Sequence, residues 1–218
     1  MKLPLLFILL IFSNQVFADF IFTPGACLSV PFSSEEKNSS KSNIIEANAG
    51  IGLQANLDWI VFGPLTLGLG LGYQARSAEV QYQNAIATAN DLSASMVQFS
   101  GDVGTKLRII NFRRFKMYLG AGLNIGSLSM SFDEKDFKTT TGSKDGFEES
   151  ESRSYNGRYF DAGIEYIISN TGGLRISAKQ TDIETAKFVN LNNERLSMKY
   201  MSYAIQYMHY VNWDFFWK

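Results

Sequence analysis

The strongest constraint on the fold is a strict alternation of apolar and polar residues, clearest in residues 65–76. Leu65, Leu67, Leu69 and Leu71 share one face of this segment, and glycine and polar residues occupy the other. A period of two is the signature of a β-strand. Residues 45–59 repeat the pattern over a length greater than the roughly 9–11 residues with which a tilted strand crosses a bilayer.

The links between the alternating segments differ in length. Three are short, at residues 61–64, 111–114 and 170–173, and contain turn-forming residues such as Gly63, Pro64 and Asn170. The other links are more polar and alternate with the short ones along the chain; they lie at 34–43, 83–94, 133–153 and 190–194. These marks predict eight strands, at 20–33, 44–59, 65–82, 95–110, 115–132, 154–169, 174–189 and 195–212.

An even number of strands with short turns at one end and longer loops at the other is typical of outer-membrane barrels. The sequence therefore predicts an all-β fold, an eight-stranded antiparallel up-and-down transmembrane β-barrel. Its short turns would face the periplasm, its polar residues the interior and its apolar residues the lipid. The eighth strand breaks the alternation, which predicts a β-bulge near Tyr200 and Met201.

Aromatic residues gather towards both ends of the predicted strands, as expected for two girdles at the membrane interfaces. The predicted periplasmic girdle comprises Trp59, Phe62, Phe112, Phe115, Tyr166 and Trp213. The predicted extracellular girdle comprises Tyr73, Tyr82, Phe132, Tyr155, Tyr159, Phe188 and Tyr200.

Charged residues of both signs fall on the predicted inner face in nearly equal number. An eight-stranded barrel is just wide enough for side chains to fill it, and unpaired charges there would be costly. We therefore predict a closed interior with paired charges rather than an open pore. Asp58 and Lys116 belong to this inner face, together with the candidate network Glu46, Arg76, Asp102, Lys106, Arg108, Asp161, Glu165, Arg175 and Lys179.

The N-terminus has the pattern of a signal peptide: Lys2, a short apolar run, and a small-residue site ending at Ala18. We expect export, cleavage after Ala18, and a barrel domain over 19–218. The chain has 20 Lys and Arg against 21 Asp and Glu, so it lacks the basic excess typical of nucleic-acid binding. Cys27, the one cysteine, is predicted to be a small core or lumen residue.

Few residues suggest chemistry. The one histidine, His209, is predicted to face lipid near the periplasmic interface, where a structural role is favoured over a catalytic one. No cofactor, metal ion or catalytic residue is predicted. The loop at 133–153 could bind divalent cations or lipopolysaccharide, or could simply be a solvated extracellular loop; its acids are Asp133, Glu134, Asp136, Glu148, Glu149 and Glu151.

The eight alternating segments, the signal-like N-terminus and the aromatic-rich residues 213–217 resemble the small eight-stranded outer-membrane barrels, the type of OmpA's transmembrane domain, OmpX and OmpW. Members of that family usually end on an aromatic residue, whereas here Lys218 follows Trp217. The resemblance implies residence in the outer membrane, with its lipids, lipopolysaccharide and assembly machinery as partners. No functional motif of the family transfers residue by residue.

Four functions remain open at this stage. The favoured one is a structural or surface-interaction role, with the extracellular loops as the working surface. The alternative is a narrow channel or small-solute transporter of the outer membrane. A lipid-modifying enzyme would depend on His209 as its base. A soluble ligand-binding barrel would need an apolar interior, whereas the predicted inner face is charged.

Overall fold

The structure is a computed structural model that describes residues 20–32, 36–37, 43–84, 87–132, 150–188 and 194–211. Among these residues, no helix is long and apolar enough to cross a membrane. The proposed signal peptide lies outside the described residues. The strands are β1 (Phe20–Pro31), β2 (Asn43–Phe62), β3 (Leu65–Asn84), β4 (Ala87–Phe112), β5 (Phe115–Phe132), β6 (Ser150–Ser169), β7 (Gly172–Phe188) and β8 (Glu194–Val211).

Each strand pairs antiparallel with its neighbours in sequence, and β1 closes the ring. Phe20 lies opposite Trp59 of β2 on one side and opposite Val211 of β8 on the other. A two-residue segment, Glu36–Lys37, adds a short pairing to the start of β2. The predicted eight-stranded antiparallel up-and-down barrel is therefore confirmed.

The three short turns also lie where the sequence predicts them. Their central residues are Gly63–Pro64, Arg113–Arg114 and Asn170–Thr171. Each turn is tied to a neighbouring strand by a backbone hydrogen bond, of which the bond from the Arg108 N–H to the Pro64 carbonyl is 2.9 Å long. We call this end of the barrel the turn end and the opposite end the loop end.

The first two hairpins at the turn end differ in backbone strain. Arg113 has a φ of 50°, the left-handed region that disfavours residues with a Cβ, whereas the equivalent position of the first turn is Gly63. We expect Arg113→Gly to raise the free energy of unfolding by about 1 kcal/mol. Arg114→Gly, at a position without positive φ, is the control and should not stabilise. Guanidinium unfolding in detergent micelles measures both, and equal effects would contradict the strain argument.

The strands extend further at the loop end than predicted. Pairing of β3 with β4 continues to Asn84 opposite Ala87, so most of the predicted loop 83–94 is strand and that prediction is wrong. Strand β4 has 26 residues, more than twice the roughly 9–11 that cross a bilayer. The polar residues of 83–94 indicate a loop only if the outward face of every strand is apolar along its whole length.

The outward face in fact changes character along the strands, as β6 shows most directly. Its outward residues from 160 to 168 are apolar, a length that matches one membrane crossing. These are Phe160, Ala162, Ile164, Tyr166 and Ile168. The inward face of the same strand carries the buried Glu165. Towards the loop end the outward residues become Arg158, Asn156, Ser154 and Ser152, while Tyr155 and Tyr159 are buried inside.

The barrel wall therefore has two sections with opposite amphipathicity. In the membrane section, apolar residues face out and polar residues face in. In the outer section, at the loop end, polar residues face out and apolar residues face in, as in a water-soluble barrel. Among residues whose side chains are described, the outer section comprises 46–49, 77–80, 93–95, 127–132, 150–158, 180–188 and 195–199.

This reversal also explains the broken alternation of β8. Leu196, Met198 and Tyr200 are buried, and the same parity continues without interruption to Ser202 and Ala204. The register of β8 against β7 is continuous from Met198 to His209, so the predicted bulge near Tyr200 is wrong. The same residues of the alternation face inward along the whole strand. What changes is polarity: the inward face is apolar in the outer section and polar in the membrane section.

Candidate functional site

The interior of the membrane section is filled by a network of ion pairs centred on Arg175. Its guanidinium is fully buried and lies 2.7 Å from an Asp58 carboxylate oxygen and 2.6 Å from a Glu165 carboxylate oxygen. Arg108 contacts the other Glu165 oxygen at 3.2 Å and donates to the Thr66 hydroxyl at 2.7 Å. Two carboxylates are thus shared among cations that come from different strands. These ion pairs connect the strands across the turn-end half of the interior.

Two lysines complete the charge pairing. Lys106 donates to both oxygens of Asp58, at 2.7 and 2.9 Å. Lys179 lies 2.7 Å from Asp102, which also accepts a hydrogen bond from the Asn124 amide at 2.5 Å. Buried charges are stable only when paired and hydrogen-bonded, and these groups meet that condition.

Little empty space remains between these charges. A polar cavity between them has a volume of about 20 Å³, enough for about one water molecule. Asp102, Lys106, Asp161 and Lys179 contribute to its lining. Asp161 has a buried carboxylate oxygen without a hydrogen-bond partner among the described residues, so that oxygen is available to an enclosed water. Among the described residues, buried ion pairs therefore fill most of the interior at this level.

A layer of hydrogen bonds, the septum, crosses the interior above the ion pairs. Arg76 donates to the Gln74 and Gln98 side-chain oxygens at 2.7 and 3.1 Å and lies 4.6 Å from the centre of the Tyr200 ring. Gln98 in turn donates to the hydroxyl groups of Tyr155 and Tyr200 at 2.8 and 2.7 Å. The Arg76 charge is thus held by amides and an aromatic face at the boundary between the two sections.

Above the septum the interior is a packed apolar core, which we call the outer plug. Its side chains are at most 6% exposed, so the plug seals the outer section as a protein core does. It comprises Ala78, Val80, Ala94, Met96, Leu128, Met130, Tyr155, Ile183, Phe188, Leu196, Met198 and Tyr200.

The predicted charge network can now be located residue by residue. Glu46 differs from prediction: a register shift between Ala47 and Gly50 places it opposite the exposed Glu79, on the outward side, so its assignment to the interior is wrong. Lys116 is partly buried near the turn end. The remaining network residues face the interior, namely Arg76, Asp102, Lys106, Arg108, Asp161, Glu165, Arg175 and Lys179.

The two predicted aromatic girdles have different outcomes. At the turn end, Trp59, Phe112, Phe115 and Tyr166 are exposed on the outward face, while the side chains of Phe62 and Trp213 lie outside the described part. The extracellular girdle is wrong, because most of its described members point inward. Tyr155, Tyr159, Phe188 and Tyr200 are buried in the interior; Phe132 packs against the outer plug, Tyr73 is exposed, and Tyr82's side chain is not described.

The inward tyrosines show what the interior glycines accommodate. A Cβ added at Gly104 or Gly122 would meet the ring or hydroxyl of Tyr159, and one at Gly163 would meet Tyr118. Other glycines face charged side chains, such as Gly68 beside Asp58. The glycines therefore make room for aromatic rings as well as for charged residues.

The acidic loop falls mostly outside the described residues, including Asp133, Glu134, Asp136, Glu148 and Glu149. Glu151 was predicted to lie in the extracellular loop, but β6 already begins at Ser150. Glu151 lies on the inward face of this strand. Its carboxylate is buried and forms an ion pair with Arg153 at the rim of the outer plug. No group of three potential metal ligands occurs among the described His, Cys, Asp and Glu residues.

His209 and Cys27 lie on opposite faces of the barrel wall. His209 is exposed on the outward face near the turn end, opposite Phe22 and Gly172. Cys27 is buried in the interior, where the Gln74 amide approaches its sulfur at 3.9 Å.

Sequence reasoning missed the septum and the outer plug. Gln98, Tyr155 and Tyr200 are separated by at least 45 residues, so only closure of the barrel brings their side chains together. The signal for the plug was present in the broken alternation of the eighth strand.

Two solved structures place this architecture among known barrels. OprG of Pseudomonas aeruginosa matches with a TM-score of 0.62 and 13% identity, over 90% of this chain and 97% of that one. The attachment invasion locus protein Ail of Yersinia pestis, in complex with the heparin analogue sucrose octasulfate, matches with a TM-score of 0.51 and 12% identity, over 90% and 100%. Identities this low show a shared fold alone. No curated protein matches the chain.

The family model for the outer membrane protein beta-barrel domain matches residues 7–206. This match covers most of the chain, including nearly all of the eight-stranded ring. The polar interior and the apolar outward band of the membrane section are the features that a barrel in a bilayer requires. The chain belongs to the outer membrane protein beta-barrel family and is a protein of the outer membrane.

Proposed function

We propose that this protein is a closed, non-conducting barrel with a structural or surface-interaction role, whose working surface is its extracellular outer section and loops. The observation that carries the proposal is the filling of the interior. Ion pairs close the membrane section, the septum lies above them, and the outer plug excludes water beyond it. A path for solute would have to break two barriers of opposite chemistry.

The length of the strands supports a function outside the membrane. The outer section continues the wall well beyond the bilayer, and it has its own apolar core. A rigid, pre-organised surface binds a partner with less loss of conformational entropy than mobile loops do. The outer section therefore serves as a fixed platform.

One side of this platform is rich in exposed hydroxyl groups. Ser129 of β5 and Ser152 of β6 lie 3.0 Å apart through their side-chain oxygens, and Ser131 and Ser150 lie 2.9 Å apart. Ser127 lies directly opposite Ser154 in the same register. This hydrophilic, uncharged face suits contact with other polar surfaces and does not fit the interior of a bilayer.

The alternative function, a narrow channel or small-solute transporter, is tested by conductance. We expect the purified protein in planar lipid bilayers to show no stepwise current, because buried ion pairs and the outer plug fill the described interior. An established porin reconstituted in the same bilayers is the positive control. Reproducible conductance steps from the folded protein would contradict the proposal.

A shortened barrel tests the surface role itself. Deleting residues 79–93 and 129–152, with two-residue turns in their place, removes much of the outer section and leaves the membrane section. We expect the full-length protein to confer adherence or aggregation on expressing cells, and we expect this variant to reach the outer membrane without conferring either. Unchanged adherence at equal surface levels would refute a surface function of the outer section.

A further inference from the structure

The lipid-facing wall contains an apolar groove that crosses β6, β7 and β8 and is bordered by residues of β1, β4 and β5. Its volume is about 770 Å³. Ala162 and Ala178, which lie opposite each other in register, form its floor because their side chains are small. Ile164, Ile176 and Tyr203 add larger side chains beside this floor. The groove faces the bilayer, and its volume leaves room for flexible hydrocarbon.

A row of three charges lies across the same strands towards the loop end. Arg158 is opposite Asp182, and Asp182 is opposite Lys199. The Arg158 guanidinium lies 3.6 Å and the Lys199 ammonium 3.9 Å from the same Asp182 oxygen. The Arg158 and Lys199 side chains are 71% and 57% exposed, so two accessible cations share one carboxylate and the row is net positive.

The row and the groove are aligned along the barrel. On each of the three strands, the charged residue lies four positions loopward of Ala162, Ala178 or Tyr203, which is about 13 Å along a strand. Phe160, Gln180 and Met201 occupy the intermediate position. The row therefore lies where the apolar outward band ends, at the level of lipid headgroups.

We propose that this wall binds one anionic, phosphate-bearing lipid of the outer leaflet, with an acyl chain in the groove and the phosphate against Arg158 and Lys199. A guanidinium presents paired donors to phosphate oxygens, and an ammonium adds a second positive charge. Asp182 acts as a positioning residue that holds both cations over the groove.

Selectivity must come from the charged row. Acyl chains are as apolar as the aliphatic side chains that line the groove, so the groove alone does not distinguish one lipid from another. Because Arg158 and Lys199 are largely exposed, we expect binding to weaken as salt concentration rises. This site goes beyond the proposed surface role and depends only on insertion in the membrane, so either proposal can fail without the other.

The test is native mass spectrometry of the full-length protein, folded in detergent and incubated with lipid A or with zwitterionic phosphatidylcholine. We expect one retained lipid A per barrel and no comparable retention of phosphatidylcholine. The double variant Arg158→Gln/Lys199→Gln should reduce lipid A retention at least tenfold. Arg195→Gln is the matched control, because Arg195 is an exposed arginine paired with Glu184 on the same wall, away from the row.

A groove variant separates the two halves of the site. Ala178→Phe fills the floor without changing charge and should also reduce lipid A retention. Each variant is checked for folding by the difference in gel mobility with and without boiling. Undiminished retention in the folded double variant, an equal loss in Arg195→Gln, or equal retention of phosphatidylcholine would each overturn the proposal.

Discussion

Replacing Arg175 with Met is expected to lower the free energy of unfolding by about 3–5 kcal/mol. Arg175 has no exposed surface and pairs with both Asp58 and Glu165. Its removal leaves two buried carboxylates with one cation fewer between them. Chemical unfolding in detergent micelles, followed by gel mobility and tryptophan fluorescence, measures the loss.

Two further variants identify the cause of that loss. Arg195→Met makes the same substitution in an exposed ion pair, 62% and 53% exposed, and should change stability by less than about 1 kcal/mol. The double variant Asp58→Asn/Arg175→Met removes one charge of each sign and keeps the Arg108–Glu165 pair. It should be more stable than the sum of its single variants predicts. Strict additivity would show that the charges do not act as a network.

Replacing Leu128 with Arg is the second large effect, an expected loss of about 3–5 kcal/mol from an unpaired charge in the outer plug. Leu128 is fully buried, in a strand section that the membrane does not cover. The neighbouring outward residue, Ser129, should tolerate Arg with a change within about 0.5 kcal/mol, because it faces water.

In the membrane section of the same strand, an outward position should not tolerate Arg. Leu119, opposite Ala162 of β6, is 52% exposed on the outward face, yet Leu119→Arg should cost about 2–4 kcal/mol in a bilayer, because the charge would face lipid. In detergent micelles or a bilayer, the three variants form one series along β5. Tolerance of Arg at Leu119 together with intolerance at Ser129 would contradict the two-section architecture.

The two interiors seal the barrel by different physics. Ion pairs at the turn end are strong because they are withdrawn from water, and their geometry depends on the register of several strands. The outer plug is held by the hydrophobic effect, since the wall around it is surrounded by water rather than lipid. In the proposed function, the two interiors together make the barrel a closed support for whatever its outer surface contacts.

Much of the architecture could be predicted from local sequence. Alternation in residues 65–76 indicates strand, and the turn residues around Gly63 and Asn170 mark where strands reverse. These features depend on neighbouring residues along the chain, so no tertiary contact is needed to recognise them. The eight strands, their antiparallel order and the inward placement of residues such as Asp102 and Glu165 follow from the same period of two.

The errors arise where that period is combined with an assumption about the solvent. Tyr155 and Tyr200 share an inward parity that alternation alone identifies, but an aromatic residue near a strand end was assigned to a lipid interface. Glu46 was assigned by parity, and the register shift at Ala47–Gly50 reversed it.

The sequence by itself determined the strands, their turns and which residues share a face, because these depend on backbone geometry repeated every two residues. Only the tertiary structure decided at which height the outward face passes from lipid to water, and which distant groups meet in the interior. An outward face in lipid must be apolar, and an outward face in water is polar. The boundary between lipid and water along the wall is therefore identified only once the ring is closed. The septum around Arg76, the outer plug and the row formed by Arg158, Asp182 and Lys199 all follow from that closure.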